Sequence, residues 1–398
     1  MAQFLGGLQT VGYLALAILL LMLMITIHEF GHYITAKMLH FKVYEFSIGM
    51  GKQIYKKVKK NGEIFSIRLI PVGGYCSFGE DDPNIPDTDP DSFNNKAPWK
   101  RLIVLFSGAF FNFLSAIIFA VILLSLVGYG RVVNVGTVFN NRDYGVVEGA
   151  SETITLTEIL NTPNNAILGD GTEFTFTDEM RIESISGQKM NLMPTTGAST
   201  ILQNTKEGGN VNLVVIMPDQ KERVAVTIQS ITERQWAAIG NAGYDLPPDE
   251  GVYHNFGGAL LKSVPFSFEI AGMVLQILGQ LVTGQLGMNA IGGTVATVSV
   301  MGSSIGQALA LPVDMAFAQI CFLITLISIN LAVFNWLPIP SLDGARMVFV
   351  IIEWIRGKPI NRNLEAKIHM IGIICLMGFV VFADLFWVIN SLSMHLLL

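Results

Sequence analysis

The strongest constraint in this chain is a polar pentad lodged in an apolar run. Residues 8–27 carry no charge and the apolar character continues to Ala36, which is long enough to cross a bilayer as a helix. Inside the run stands His28-Glu29-Phe30-Gly31-His32. On a helix, positions four apart project from one face, so the two imidazoles can hold one zinc ion. Glu29 lies beside them, poorly placed to be a ligand. Its usual task in an H-E-x-x-H pattern is to take a proton from an activated water. An ionisable residue near a membrane centre costs on the order of 2.5–3.5 kcal/mol, so three together need a reason. The plain alternative is a set of hydrogen-bonded packing polars at the cytoplasmic rim.

The chain has 398 residues, 51% of them hydrophobic and 14% charged, with the apolar ones gathered in long runs. That describes a polytopic membrane protein carrying some soluble mass. Cys76, Cys321 and Cys375 show no C-x-x-C spacing, and two lie in apolar runs, so they read as small buried hydrophobes rather than disulfide partners or metal ligands. The first run lacks the basic start and small-residue cleavage site of a signal peptide and reads as a retained helix.

Residues 37–101 hold 11 Lys/Arg against 8 Asp/Glu, a cationic excess that marks the cytoplasmic side. The N-terminus then lies outside and the H-E-x-x-H pattern sits towards the inner end of the first helix. Within this loop, residues 42–78 alternate like strands around the turn signal Lys59-Lys60-Asn61-Gly62 and end in Pro71-Val72-Gly73-Gly74-Tyr75. A small sheet with a free edge beside the helix could hold an extended peptide by strand addition; a plain surface hairpin is the alternative. Residues 80–91 form an acidic, proline-rich loop. Pro98-Trp99-Lys100-Arg101 anchors a second helix over residues 101–127, in which Gly108 and Asn112 share a face. Packing explains the glycine, whereas an amide in lipid needs a partner.

Residues 130–255 hold 16 Asp/Glu against 8 Lys/Arg, which suits the outer side. The second half looks like a β-rich module: residues 180–185, a short helix near 198–203, then strands 211–217 and 223–229. That order loosely resembles a PDZ domain, interrupted by residues 151–176; another small β domain is the alternative. Residues 256–312 read as an interfacial or re-entrant helix, 264–286, followed by a Gly/Ser/Thr-rich loop, 287–306. Residues 313–398 supply the last two membrane helices, 313–337 and 368–389. The first of these ends in Asn335-Trp336-Leu337-Pro338-Ile339-Pro340-Ser341-Leu342-Asp343-Gly344, where two prolines break the helix at membrane depth. Arg346, Arg356, Lys358, Arg362 and Lys367 place the following loop in the cytoplasm.

Parity then fixes the count. His28 and His32 lie at the inner end of one helix and Asp343 at the inner end of another, so one return crossing separates them. The helix at 101–127 supplies it, giving four transmembrane helices in total with residues 1–129 holding the first two. Two histidines and one carboxylate leave a fourth zinc position open, which is the catalytic arrangement. Asp343 could instead cap a helix. Asn335 and Asn112 could grip a substrate backbone or stabilise an oxyanion, or serve packing alone.

H-E-F-G-H in a first membrane helix with N-x-x-P-x-P-x-L-D-G in a later one resembles the site-2 protease family of intramembrane zinc metalloproteases. The four-helix plan with an outer PDZ-like domain is most similar to its bacterial RseP/RasP type. The resemblance implies a Zn2+ cofactor held by His28, His32 and Asp343, with Glu29 as general base. It implies that the segment Gly73-Gly74-Tyr75 presents an edge strand to substrate and that Asn335, Pro338 and Pro340 help hold it. It further implies cleavage of membrane segments in proteins already trimmed outside by a site-1 protease, such as anti-sigma factors or remnant signal peptides. The expected setting is the bacterial cytoplasmic membrane, with both termini outside, the active site towards the cytoplasm, and no nucleic-acid partner. Gly108-Ala109 and Ile291-Gly292-Gly293-Thr294 depart from Gly-Pro pairs usual in the family, away from the zinc ligands. Two other readings remain at this point. One is an inactive receptor that keeps the fold. The other is a zinc-dependent transporter, for which Glu269 and Asp384 would be the pathway carboxylates.

Overall fold

The structure, a computed structural model, describes residues 2–79, 90–128, 133–136, 138–140, 153–186, 188–189, 208–218, 222–242, 255–283, 293–358 and 360–396. The expected short helix near 198–203 and most of the acidic loop at 80–91 lie outside these. The chain forms two compact units, one from Met1–Leu123 with Ser263–Leu398 and one from Leu124–Lys262.

In the first unit, α1 (Ala2–Met38) contains the apolar stretch Gln9–Met38, about 45 Å long at 1.5 Å per residue and so longer than a ~30 Å hydrocarbon core. Helix α2 (Pro98–Val127) opens on a proline, whose missing N–H is harmless at a helix start. The two helices approach closely because small residues face each other. A Cβ on Gly31 would lie 2.6 Å from the Ser107 carbonyl oxygen, and the Ser107 hydroxyl donates to the Gly31 carbonyl at 3.0 Å.

Between them run β1 (Glu45–Val58) and β2 (Ile64–Ser77), joined by a turn in which Gly62 has φ +81° and its N–H donates to Lys59 O at 3.0 Å. Gly49, Gly51 and Gly73, all at positive φ, let each strand bend into two arms. The register therefore has three parts. Tyr55–Val58 pair antiparallel with Ile64–Ile67, Glu45–Ile48 pair parallel with Ile64–Ile67, and Glu45–Ile48 pair antiparallel with Gly74–Ser77. The arm Gly74–Ser77 is an outer row. The sheet is tied to α1 through Glu63, almost fully buried, which pairs with Lys37 and, at 2.6 Å, with Lys59. Burial alone would raise the Glu63 carboxyl, but hydrogen bonds from the two lysines outweigh it and lower it to about 2.

The second unit is β-rich. Strands β3 (Val133–Asn134), β7 (Arg181–Ile185), β9 (Val211–Ile216), β10 (Arg223–Ile228) and β6 (Ala166–Leu168) follow one another across a sheet, with β8 (Gln188–Lys189) beside β7. β4 (Val138–Asn140) pairs with β5 (Thr153–Thr155). The residues expected to interrupt the module, 151–176, instead supply part of its core. Helix α3 (Leu156–Leu160), started by a Thr155/Glu158 capping box, buries Leu156, Ile159 and Leu160, and Phe174 and Phe176 pack beside them. Helix α4 (Glu233–Ala242), absent from the sequence reading, adds Ala238 and Ile239 to the same core.

The chain then enters α5 (Phe256–Val282), α6 (Thr294–Leu309), α7 (Val313–Trp336), α8 (Asp343–Arg356) and α9 (Arg362–Leu396). Among the described residues, five helices are long and apolar enough to cross a membrane, one more than the four expected, the additional one being α5. Residues 294–306, expected as loop, are helical. Their glycines are contact points: a Cβ on Gly302 would lie 3.0 Å from Leu14 Cδ2, and one on Gly306 2.8 Å from Tyr13 Cε2. The loop after Asp343 is likewise a helix, closed by Gly357 in the left-handed region. Asp384 on α9 accepts the backbone N–H groups of Val295 and Ala296 at 3.2 and 3.1 Å, so it caps the start of α6. That engagement gives the carboxylate a structural task in place of the transport role weighed above.

Candidate metal centre

The His28–His32 turn of α1 faces α2 and the α7–α8 junction. Nε2 of His28 lies 2.9 Å from Oδ2 of Asp343, Nε2 of His32 lies 3.1 Å from the same oxygen, and the two ring nitrogens are 3.1 Å apart. Both histidines are buried. Among the described residues, these three form the cluster whose ligand atoms could share a metal ion.

The local sequence explains the convergence. Pro338 and Pro340 end α7, and the segment folds back on itself at Gly344, where a Cβ would lie 2.6 Å from the Trp336 carbonyl oxygen. Ser341 takes a positive φ of 88°, unusual for a residue with a side chain, and its N–H donates to Nδ1 of His369 on α9 at 3.1 Å. Asp343, the first residue of α8, is thereby held with its carboxylate towards α1 rather than towards its own helix start.

The residues fit a zinc ion. Two imidazoles and a carboxylate are a catalytic zinc donor set, and the observed edges of 2.9–3.1 Å lie near the ~3.3 Å expected for a tetrahedron with bonds of about 2.05 Å. Nδ1 of His32 lies 2.8 Å from the Val104 carbonyl, an acceptor only, so Nδ1 carries the proton and Nε2 presents its lone pair. Gly108 supplies the cradle: a Cβ there would lie 2.6 Å from His32 Cε1 and 2.8 Å from His28 Nε2. Helix packing alone had accounted for this glycine in the sequence; its nearest neighbours are the ligand atoms.

Glu29 stands on the same helix, and its carboxylate is hydrogen-bonded by the backbone N–H of Cys76. A Cβ on Gly74 would lie 3.7 Å from its Cγ, so the outer arm of the sheet passes directly beside the carboxylate. The Tyr75 hydroxyl is held by Arg68 at 2.5 Å and Gly73 makes the bend that starts the arm. Asn112, fully buried, places its amide nitrogen 3.4 Å from Nδ1 of His28. Asn335 donates to the Leu331 carbonyl of its own helix at 2.8 Å, while Pro340 packs against Gly372 of α9. Pro338 lies in the turn that follows α7. The Val104 carbonyl has no signature in the sequence, since any residue supplies one.

Residues 16–379 match the model of peptidase family M50. A Fusobacterium nucleatum protein named as a zinc metalloprotease is 28% identical over 377 residues, covering 92% of this chain and 95% of its own length. A Nostoc protein named likewise is 29% identical over 374 residues, covering 92% and 93%. The Escherichia coli regulator of sigma-E protease RseP is 24% identical over 448 residues, covering 93% and 98%. The chain belongs to peptidase family M50 and is a zinc metalloprotease of the site-2 protease family.

Proposed function

We propose that this enzyme cuts the membrane-spanning segments of single-span proteins already trimmed on the outer side, such as anti-sigma factors or remnant signal peptides. The observation that carries the reading is the meeting of His28, His32 and Asp343 within 3.1 Å of one another on membrane-length helices, with Glu29 alongside. His28, His32 and Asp343 hold the zinc, which supplies Lewis acidity to water and to the scissile carbonyl. Glu29 accepts the proton from water and returns it to the leaving amine. The outer arm Gly74–Ser77 receives an unwound substrate by strand addition, which lines up its backbone beside Glu29. Asn335, Pro338 and Pro340 shape the opposite wall, and Asn112 lies behind His28.

The same contacts support four crossings. Asp343 meets His28 and His32, so α1 and α7 bring their C-terminal ends to the same depth and an odd number of crossings lies between them. Helix α2 supplies one; α5 then lies along or re-enters the membrane. The basic excess at residues 37–101 puts the active site towards the cytoplasm and both termini outside, in the bacterial cytoplasmic membrane. We assign residues 1–129 and 313–398 to the membrane core, 256–312 to the helix and loop beside it, and 130–255 to a PDZ-like outer domain that screens out untrimmed proteins. Two relatives are named regulator of sigma-E protease, which supports an anti-sigma factor as substrate; in this reading an upstream site-1 protease does the outer trimming.

The test is cleavage of a single-span model substrate in liposomes by wild type and Glu29→Gln, with zinc content measured for both. We expect wild type to cut within the span and Glu29→Gln to keep its zinc while losing ~10²–10⁴-fold in rate, as for loss of a general base. Equal cutting by the variant removes Glu29 from the mechanism. Cutting outside the span refutes the substrate assignment.

A further inference from the structure

The two zinc-binding histidines are supported differently, and the difference points to a role for Asn112. Nδ1 of His32 donates to a backbone carbonyl, which locks its tautomer. Nδ1 of His28 faces an amide side chain, that of Asn112, at 3.4 Å. In the orientation drawn, the Asn112 nitrogen points at the ring while its Oδ1, buried, has no hydrogen-bond partner among the described residues. A buried acceptor without a donor is costly, roughly 1–3 kcal/mol.

Both features have one remedy. Rotating the amide by half a turn exchanges N and O, which differ little in size and are assigned from their surroundings. Oδ1 then accepts from Nδ1–H of His28, the amide NH2 takes the place Oδ1 held, and Nε2 of His28 is left unprotonated with its lone pair towards Asp343 and His32. In the orientation drawn, Nδ1 must accept, so Nε2 carries the proton and donates it to Asp343 at 2.9 Å. One orientation suits the site without metal and the other suits it with metal. An amide can do both because it carries a donor and an acceptor on one pivot.

We propose that Asn112 is a positioning residue for zinc: its carbonyl oxygen sets the tautomer of His28 and orients its ring. This rests on the reading that His28, His32 and Asp343 hold the zinc. Its position supports such a role. Asn112 is fully buried at the α1–α2 interface, so the side chain has little freedom beyond the amide rotation.

The experiment is a zinc affinity measurement on purified full-length protein by chelator competition, with apo-protein melting recorded alongside. The variants are Asn112→Leu, close in shape but without an acceptor, Asn112→Asp, which keeps an acceptor oxygen, and Ser115→Ala as a buried-polar control on the same helix. Loss of an outer partner of a zinc histidine weakens binding by ~10–100-fold. We expect Asn112→Leu to fall in that range, Asn112→Asp to stay within about threefold of wild type, and Ser115→Ala to bind as wild type does. Wild-type affinity in Asn112→Leu overturns the proposal, and so does equal weakening in Asn112→Leu and Asn112→Asp when both are folded. Should Asn112→Asp fail to fold, the comparison with Ser115→Ala decides: equal weakening there means general packing and overturns it, while weakening confined to Asn112→Leu supports it. Failure of wild type to bind zinc, with His28→Ala indistinguishable from it, strikes the metal assignment itself and is a separate outcome.

Discussion

Replacing Gly108 by alanine puts the smallest possible side chain into the metal centre. The new methyl would sit 2.8 Å from Nε2 of His28 and 2.6 Å from Cε1 of His32, and closer still to Nε2 of His32. To restore an ordinary contact of 3.4 Å, the His28 nitrogen alone must retreat by about 0.6 Å. Metal–ligand distances tolerate about 0.2 Å, so the displacement is about three times what a zinc site accepts. Neither ring can simply turn away, because His32 is tethered to Val104 and His28 is backed by Asn112. Overpacking at such a contact destabilises by roughly 1–3 kcal/mol. Loss of zinc affinity should be at least the ~10–100-fold seen when an outer partner is removed. The assay is chelator competition on Gly108→Ala beside Gly12→Ala, a helical position with nothing within 4 Å of a new Cβ. Gly12→Ala should bind as wild type and melt at the same temperature or slightly higher, since alanine favours helix by up to ~1 kcal/mol. A Gly108→Ala protein that binds zinc with wild-type affinity would refute the claim that this glycine forms the cradle.

Other consequences are equally specific. Asp384→Ala should uncap α6 at a cost of about 1 kcal/mol, read as faster hydrogen exchange at the Val295 and Ala296 amides, while Asp384→Asn, which keeps an acceptor, should exchange at an intermediate rate. Exchange unchanged in the alanine variant would remove the cap. The Glu63 carboxyl is held at about 2 in the folded chain against an ordinary 4.5, so its contribution is complete above pH 4.5 and fades as pH falls towards 2. Thermal melts across that window should show a decline in wild type that is smaller in Glu63→Gln; identical slopes would rule out the Lys37–Glu63–Lys59 network as the cause. A proline at Cys76 would delete the N–H that reaches Glu29 from the outer arm, so cleavage should fall while zinc content stays at the wild-type level. Loss of zinc in that variant would instead tie the arm to the integrity of the metal centre.

What could be read from the sequence was whatever residue identity alone encodes. His28, Glu29 and His32 announce themselves by spacing, and Asp343 by the proline-broken helix before it. The bent sheet could be read only as a hairpin, because its third pairing depends on glycines turning the strands and not on alternation. Residues 294–306 looked like loop because Gly, Ser and Thr are weak helix formers, yet those small residues let α6 lie against Leu14 and Tyr13; tertiary packing overrode propensity. The segment around residue 160 looked like an interruption, although Thr155 and Glu158, and again Thr232 and Gln235, spell capping boxes that mark α3 and α4. An acceptor such as the Val104 carbonyl leaves no trace in side chains at all.

The two parts of the metal centre stand 311 and 315 positions apart along the chain. A ribosome adding about 5–20 residues per second makes His28 some 15–60 s before Asp343. Throughout that interval the nascent helix can offer His28, Glu29 and His32 but not Asp343. An enzyme that cuts membrane helices is born among membrane helices, its own and those of its neighbours in the insertion machinery. If Asp343 is the third ligand, as proposed, its place near the end of synthesis withholds hydrolytic competence until the helices around the site have been made.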